Sequence, residues 1–211
     1  MKSASSIMTN LLIYILIVLS GCNSNGLKED VDERPPATFY IDSDQGNDLN
    51  DGLSEASAWK SHSIINSMGL IPGDTLKFKR GSQYNTVLYI NDSGEKDNYI
   101  VLTSYGDPGQ QAPKFTRTVF NPENKEYGNC IRLKGSYIIV ENLYFEHSVA
   151  ELSGNIGFPI MWELGAIYID KTASHCIVRN NELFDCGVGI KSYGEHALIT
   201  QNYIHDCNRI L

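Results

Sequence analysis

The chain contains 211 residues, of which 42% are hydrophobic and 20% are charged, and its formal net charge is −8. An acidic surface argues against non-specific binding to nucleic acid, so we expect no nucleic-acid partner. The length is sufficient for one domain with a sizeable hydrophobic core, and we expect a monomer.

The N-terminus has the features of an export signal. One basic residue, Lys2, precedes an apolar run over residues 11–19, which is shorter than a membrane-spanning helix. The run leads into Leu19-Ser20-Gly21-Cys22, which resembles the signal of bacterial lipoproteins. The resemblance implies a signal peptide with a lipidated Cys22 over residues 1–22, held at the outer membrane or cell surface. The alternative is an ordinary secretory peptide.

A polar tether and a cap are predicted next. Residues 23–37 are polar and charged and include two adjacent prolines, which is typical of a linker. We interpret residues 38–115 as an N-terminal cap, with a short helix within residues 59–68 that turns Ile64 and Ile65 inward. Turn-forming residues separate the predicted strands, which are Thr38–Asp42, Thr75–Lys79, Val87–Ile90 and Tyr99–Tyr105.

Four acidic residues crowd one loop of the cap, Asp42, Asp44, Asp48 and Asp51. Their spacing fails the EF-hand pattern, because its sixth position holds Asn47 instead of glycine. One interpretation is a structural Ca²⁺ at Asp42, Asp44 and Asp48. The other, which we favour, is a set of Asx turns. No further cofactor is indicated.

A repeated unit marks the C-terminal part of the chain. Residues 177–186 align with residues 198–207 at an offset of 21, so that Asn181 meets Asn202, Asp185 meets Asp206 and Cys186 meets Cys207. A weaker copy at residues 139–145 lies 38 residues earlier. A period near 20 with short apolar segments is typical of a solenoid whose coils stack about 4.8 Å apart. We therefore place coils over residues 116–211.

The offset of 38 between the first two copies exceeds the offset of 21 between the last two, which indicates an insertion around residues 148–165. It contains Trp162 and Glu163, and exposed aromatic rings stack on sugar faces, so these two residues are candidate glycan contacts. The alternative is that Trp162 packs as a lid on the coil beneath it. A strand at residues 165–169 would belong to the intervening coil and shorten the insertion.

The cap carries a family resemblance. The motifs Phe39-Tyr40-Ile41-Asp42, Gly46-Asn47-Asp48, Pro72-Gly73-Asp74 and Tyr105-Gly106-Asp107 resemble the opening of bacterial β-helix proteins of the pectate-lyase-like superfamily. Many of these are polysaccharide lyases or glycoside hydrolases. The resemblance covers residues 38–211 and implies an all-β fold, a single-stranded right-handed parallel β-helix with a helix-containing cap. Such relatives have more coils and this chain stops in mid-coil, so we expect a truncated β-helix.

The resemblance implies two kinds of chemistry. Hydrolases of the superfamily use paired carboxylates, for which Asp185 and Asp206 are the candidates, with His205 as an acid or base. The alternative is that both carboxylates only bond turn amides. Lyases abstract a proton with a basic residue, often beside Ca²⁺, which points to Lys191 as the base and Arg179 as a substrate-binding cation. The alternative for these two is an ordinary solvated surface.

The remaining cysteines are Cys130, Cys176, Cys186 and Cys207, and the absence of a CxxC pair argues against zinc. Cys186 and Cys207 are expected on adjacent coils, either as a disulfide or as reduced thiols in the core. The sequence thus predicts a surface-anchored protein that acts on polysaccharide as a lyase or glycosidase. The alternative is a non-catalytic glycan-binding or adhesive β-helix.

Overall fold

The computed structural model describes residues 34–148 and 158–207, without the side chains of residues 158 and 159. The predicted export signal, Cys22 and most of the predicted tether therefore lie outside the described residues. The described residues from position 36 onward form one compact unit. None of the helices in the described part of the chain is long and apolar enough to cross a membrane.

Short strands make up most of the described chain, in agreement with the predicted fold class. The helices are α1 (Ile65–Met68) and α2 (Phe158–Met161). The strands in chain order are β1 Thr38–Ile41, β2 Thr75–Lys79, β3 Gln83–Tyr84, β4 Leu88–Ile90, β5 Ile100–Tyr105, β6 Lys114–Thr116, β7 Phe120–Asn121, β8 Glu126–Tyr127, β9 Ile131–Leu133, β10 Ile138–Glu141, β11 Tyr144–Glu146, β12 Ile167–Ile169, β13 Ile177–Arg179, β14 Glu182–Phe184, β15 Ile190–Ser192, β16 Leu198–Thr200 and β17 Tyr203–His205.

The fold is a right-handed parallel β-helix with three sheets. Sheet A has the strand order β1-β2-β5-β10-β13-β16, sheet B has β3-β6-β11-β14-β17, and sheet C has β4-β9-β12-β15. Every pairing within the three sheets is parallel. Each full coil therefore contributes one strand to sheet A, one to sheet B and one to sheet C.

The core is a set of side-chain stacks that run along the helix axis. Alternate residues of each strand point inward, because successive side chains of a strand face opposite sides. In sheet B the rings of Tyr84, Phe115 and Phe145 follow one another, with centroids 5.0 and 5.5 Å apart. Leu183 continues this stack and is fully buried.

A buried asparagine connects successive coils, as the repeat predicts. The Nδ2 of Asn181 donates to the carbonyl of Val140 at 3.0 Å and to the Oδ1 of Asn202 at 3.0 Å. Its Oδ1 accepts the N–H of Leu143 at 3.1 Å. Asn202 repeats the pattern one coil later, donating to Val178 at 2.8 Å. These bonds satisfy backbone groups where the chain turns from sheet A into sheet B.

The cap closes the edge of β1. The ring of Trp59 stacks on Phe39 with centroids 5.2 Å apart, and its Nε1 donates to the carbonyl of Asn50 at 2.8 Å. Gly52 has a φ of +72°, and a Cβ there would come within 2.5 Å of the Trp59 ring. A side chain at position 52 would therefore displace the Trp59 ring.

Two features of the cap differ from expectation. The predicted helix is shorter, because a 3₁₀ turn at His62–Ile64 precedes α1; Ile65 is buried and Ile64 is partly buried. Regular coils begin with β2 and not near residue 116. In the early coils Thr75 pairs with Val101 and Ile100 pairs with Ile138, so their offsets differ from 21 and show no constant period.

Both long insertions leave the coils at the corner between sheets B and C. The antiparallel hairpin β7–β8 lies between β6 and β9, and α2 lies between β11 and β12. The last full coil crosses the same corner directly from Phe184 to Ile190. The strand at residues 167–169 is part of a coil and not of the insertion. This agrees with the shorter of the two insertions that the sequence allows.

We expect Asn181→Ala to destabilise the fold by about 2–4 kcal/mol, because it leaves a buried N–H and a buried carbonyl unsatisfied. Urea unfolding followed by circular dichroism measures this loss. Asn66→Ala, at an exposed position of α1, is the matched control and should change stability by less than about 0.5 kcal/mol. Equal effects of the two substitutions would contradict the role given to the asparagine ladder.

Candidate active site

The outer face of sheet B carries a group of histidine and carboxylate side chains. Its members lie on β11, β14 and β17 or directly after these strands, and stack because the strands pair in register. We call this group the histidine-carboxylate cluster; it consists of Glu146, His147, Glu182, Asp185, His205 and Asp206.

The first part of the cluster joins two coils through His147. Its Nδ1 lies 2.9 Å from Oδ2 of Asp185, and its Nε2 lies 3.5 Å from Oε1 of Glu146. The other oxygen of Glu146 accepts a charged hydrogen bond from Nζ of Lys114 at 3.0 Å. A cation, a carboxylate, an imidazole and a second carboxylate therefore follow one another across β6, β11 and β14.

The second part of the cluster is centred on His205. Its Nδ1 lies 2.9 Å from Oδ2 of Asp206, and its Nε2 lies 3.2 Å from Oε1 of Glu182. The two carboxylates thus stand on opposite sides of one imidazole ring. Both are largely open to solvent, with 69% of the Asp206 side chain and 48% of the Glu182 side chain exposed.

Left-handed turns place these side chains. His147, Asp185 and Asp206 each end a strand of sheet B or follow it directly, with φ values of 54°, 46° and 53°. Aspartate tolerates this region better than most residues, because its short side chain can bond locally. The same turn recurs in each coil, so the polar side chains that follow the strands recur with it.

An aromatic surface separates the two parts of the cluster. The ring of Phe184 lies 6.0 Å from the His147 ring and 5.1 Å from the His205 ring, measured between centroids. Tyr203 stacks on His205 at 4.2 Å. Apolar rings beside charged groups are the kind of surface on which the C–H face of a sugar packs.

The electrostatics of the cluster favour a protonated imidazole. The hydrogen bond to Asp206 raises the pKa of His205 above its usual value, and the hydrogen bond to Glu182 adds to the effect. Burial raises the pKa of the neighbouring Tyr144, so this phenol stays protonated. Both carboxylate neighbours therefore stabilise the protonated form of His205 relative to the neutral form.

Three predicted residues meet in the cluster. Asp185, Asp206 and His205 are brought onto one face, and Asp185 and Asp206 occupy equivalent places on adjacent coils, as the repeat indicates. Sequence reasoning missed Glu146 and Glu182. The available signal was their position on consecutive strands of one sheet, although the register pairs Glu146 with Phe184 and Glu182 with Tyr144, so the two acids lie diagonally to each other.

The two basic candidates lie on other faces. Lys191 belongs to β15 in sheet C, where its Nζ is 6.0 Å from the centroid of the Tyr193 ring. Arg179 belongs to β13 in sheet A and pairs with Glu141 at 2.7 Å. The two cations therefore do not face a common substrate position, as the lyase interpretation would require.

The insertion residues lie beside sheet C. Trp162 follows α2 and is 54% exposed. Glu163 accepts a charged hydrogen bond from Arg132 at 2.9 Å. These candidate glycan contacts are thus on a different face from the histidine-carboxylate cluster.

The acidic loop of the cap forms turns. Oδ1 of Asp42 accepts the N–H groups of Asp44 and Gln45 at 3.0 Å each, and Oδ1 of Asp48 accepts those of Lys60 and Ser61 at 2.8 and 2.7 Å. Across residues 34–148 and 158–207, no group of three or more histidine, cysteine or acidic side chains is arranged to hold a metal ion. Asp42 thus forms the local bonds of an Asx turn, whereas Asp48 ties the loop to residues 60 and 61 further along the chain.

The cysteines contribute to the core. Cys130, Cys176, Cys186 and Cys207 are all free thiols. Cys186 and Cys207 lie on adjacent coils, where the N–H of Cys186 donates to Sγ of Cys207 at 3.4 Å. Burial raises the pKa of the Cys186 thiol to about 12, so it stays protonated and packs as a small apolar group. Of the two predicted states, the structure has the reduced one.

No family model matches the chain. It is similar to the lacto-N-biosidase of Bifidobacterium longum subsp. longum, with 32% identity over 135 aligned residues, and the match covers 54% of this chain and 8% of the relative. It is also similar to α-1,3-galactosidase A of Akkermansia muciniphila, with 29% identity over 106 residues, covering 48% of this chain and 15% of that one. The chain thus spans a small part of both curated relatives.

Solved structures share the fold. The GH136 lacto-N-biosidase of Eubacterium ramulus superposes with a TM-score of 0.56 at 19% identity, covering 79% of this chain and 30% of that one. An alginate lyase of Paenibacillus sp. gives a TM-score of 0.53 at 15% identity, covering 79% and 44%. A rhamnogalacturonan lyase gives 0.55 at 16% identity, covering 72% and 37%. The structural neighbours are thus β-helix carbohydrate-active enzymes.

We expect the pKa of His205 in the folded protein to lie above the ~6.5 of a free histidine, and Asp206→Asn to lower it. The stabilisation that the protonated ring contributes is complete below the unfolded pKa and is lost as pH rises through the folded pKa. A proton NMR titration of the imidazole C–H signals measures the pKa of His205 in the unchanged protein and in the Asp206→Asn variant. Glu95→Gln, at an exposed carboxylate in another turn, should leave the titration unchanged.

Proposed function

We propose that the chain belongs to an exported β-helix protein that hydrolyses glycosidic bonds in a glycan. The observation that carries the proposal is the arrangement of Glu182 and Asp206 on opposite sides of His205, on an open face with aromatic rings. The names of both curated relatives, a lacto-N-biosidase and an α-1,3-galactosidase, describe glycosidases and agree with it.

Glycoside hydrolysis needs a proton donor for the leaving oxygen and a carboxylate that stabilises the developing positive charge or activates water. His205 holds its proton more strongly than a free histidine, because both carboxylates stabilise the charged ring. We assign it the donor role. The carboxylate that the sugar approaches, Asp206 or Glu182, stabilises the oxocarbenium-like transition state.

The second pair extends the site along the helix axis. Asp185 lies one coil from Asp206 and pairs at 2.9 Å with His147 of the preceding coil, and Phe184 lies between the two imidazoles. A sugar chain that packs on Phe184 and Tyr203 would therefore pass both pairs. This extended surface suits an oligosaccharide or polysaccharide better than a free monosaccharide.

Incubation of the protein with a panel of α-1,3-linked galactosides and neutral and acidic polysaccharides should release sugar from at least one of them. Glu182→Gln and Asp206→Asn should each lower kcat/KM about 10²-fold or more, because one of the two carboxylates stabilises the transition state and both stabilise the protonated His205 ring that donates the proton. The rate should fall as pH rises through the pKa of His205. The control Glu95→Gln should retain full activity; equal activity of all variants would refute the assignment.

The lyase interpretation remains a second outcome of the same assay. Elimination leaves a carbon–carbon double bond in the product, which absorbs in the ultraviolet, whereas hydrolysis adds one water to the product mass. We favour hydrolysis because Lys191 and Arg179 lie in different sheets. Binding of glycan without any product would favour the non-catalytic alternative, for which the exposed ring of Trp162 is the supporting observation.

We further propose that the protein is a monomer anchored by lipid on Cys22 at the outer membrane or cell surface. The support is the sequence Leu19-Ser20-Gly21-Cys22 after an apolar run.

Cys22→Ser should abolish the incorporation of labelled fatty acid and move the protein from the membrane to the soluble fraction. Cys207→Ser, at a cysteine within the coils, is the control and should keep both properties. Unchanged labelling of the Cys22→Ser protein would exclude this anchor.

A further inference from the structure

A second concave site lies on the opposite side of the insertion corner from the histidine-carboxylate cluster. It is a cavity of about 340 Å³ between the outer surface of β4 and the hairpin β7–β8. This volume is within the range of small-molecule sites, about 300–1,000 Å³. The hairpin therefore forms a wall over sheet C and leaves a space of ligand size beneath it.

Two tyrosines face the cavity from different elements. Tyr89 comes from β4 and Tyr127 from β8, and both are partly buried. Each offers an apolar ring with a hydroxyl group at its edge, the combination that suits a sugar, whose ring faces are apolar and whose rim is polar.

The charge at the cavity is positive. The Arg117 guanidinium is held by Glu126 at 2.9 Å and by the carbonyl of Asn85 at 3.3 Å, and 10% of its side chain is exposed. Lys125 lies at the exposed tip of the hairpin, and the ion pairs found among the described residues do not include it. The charged residues that line the cavity are thus two cations, Arg117 and Lys125, and one carboxylate, Glu126. The cavity is therefore positive although the chain as a whole has a net charge of −8.

The backbone presents Lys125 at a defined place. It has a φ of 59°, caps the 3₁₀ turn Pro122–Asn124, and its N–H bonds the carbonyl of Pro122 at 3.2 Å. The hairpin ladder pairs Phe120 with Tyr127 and fixes the strand that follows the lysine. The backbone therefore fixes the place at the rim of the cavity from which the Lys125 side chain extends.

Sheet C continues the cationic character beyond the cavity. Tyr89, Arg132, Tyr168 and Lys191 stand in register on successive coils, and the Arg132 guanidinium lies 4.2 Å from the centroid of the Tyr168 ring. Nζ of Lys134 lies 5.7 Å from the centroid of the Tyr89 ring. The cavity is thus one end of a row in which tyrosines alternate with basic side chains, and the charge of Arg132 in this row is offset by Glu163 at 2.9 Å and Asp170 at 4.0 Å.

One buried residue joins the cavity to the second insertion. Asn129 lines the cavity, and its Nδ2 donates to the carbonyls of Glu163 at 3.0 Å and Gly165 at 2.7 Å. Glu163 in turn pairs with Arg132. The two insertions are therefore held together at this corner.

We infer that this cavity is a binding subsite for an anionic sugar unit, one that carries a carboxylate or a sulfate. The ring of the sugar packs against Tyr89 and Tyr127, and its anionic group meets Lys125 with Arg117 behind it. The histidine-carboxylate cluster is unsuited to such a unit, because its four carboxylates, on Glu146, Glu182, Asp185 and Asp206, repel an anion. The inference does not depend on the proposed hydrolysis, since binding here requires no bond cleavage.

Calorimetric titration of the full chain tests the subsite with three ligand classes, namely uronate-containing oligosaccharides, a sulfated galactoside and the neutral counterpart of each. We expect at least one anionic ligand to bind about tenfold or more tightly than its neutral counterpart, with an affinity that falls as salt is raised. Binding of the uronate alone identifies the carboxylate as the recognised group, and binding of the sulfated sugar alone identifies the sulfate.

Lys125→Asn is the decisive variant, because asparagine accepts the left-handed backbone while removing the charge. It should lower the affinity for the anionic ligand about tenfold and leave the affinity for its neutral counterpart unchanged. Tyr127→Ala should lower both affinities. Lys96→Ala, at an exposed lysine in another turn, is the matched control. Thermal unfolding of each variant shows whether it is folded.

Equal binding of charged and neutral ligands, no binding of any anionic ligand, or an unchanged affinity of the Lys125→Asn protein would each overturn the inference. The Asp206→Asn protein separates the two proposals: it should retain this binding even where it loses hydrolysis. Hydrolysis without salt-dependent binding would refute the subsite alone, and binding without hydrolysis would refute the hydrolase proposal alone.

Discussion

The register between successive coils is the constraint on which the whole structure depends. Parallel strands bond every coil to the next, so a residue at one place in a coil lies directly over its equivalent. Such stacking is favourable only where the equivalent side chains tolerate one another. Apolar residues and asparagine do so by packing and by mutual hydrogen bonds, as Phe115, Phe145, Asn181 and Asn202 show.

Charged residues meet the same constraint in a different way. Asp185 and Asp206 occupy equivalent places, and like charges so placed would repel. Each aspartate instead pairs with an imidazole, His147 for one and His205 for the other, so that a hydrogen-bonding ring stands beside each carboxylate along sheet B. The stacking that makes the fold thereby also brings an acid–base group together.

Much of the fold could be predicted from the sequence, and less of the candidate site. The strand Thr75–Lys79 and the stacking of residues 177–186 on 198–207 follow from alternation and from a constant offset. β3 is two residues long and gives no alternation to detect. The division of Lys191 and Arg179 between two sheets depends on where each coil turns a corner, which composition does not reveal. Glu182 was missed because an exposed acid on a strand is ordinary until its neighbours in space are known.

The placement of both insertions at one corner also bears on how such proteins diverge. A segment added between sheets B and C, such as the hairpin β7–β8, lengthens the loop without shifting any strand from its partner. Evolution can therefore replace the ligand-facing loops wholesale while the coils keep their stacking. Neighbours that share 15 to 19% of their residues with this chain have the same fold.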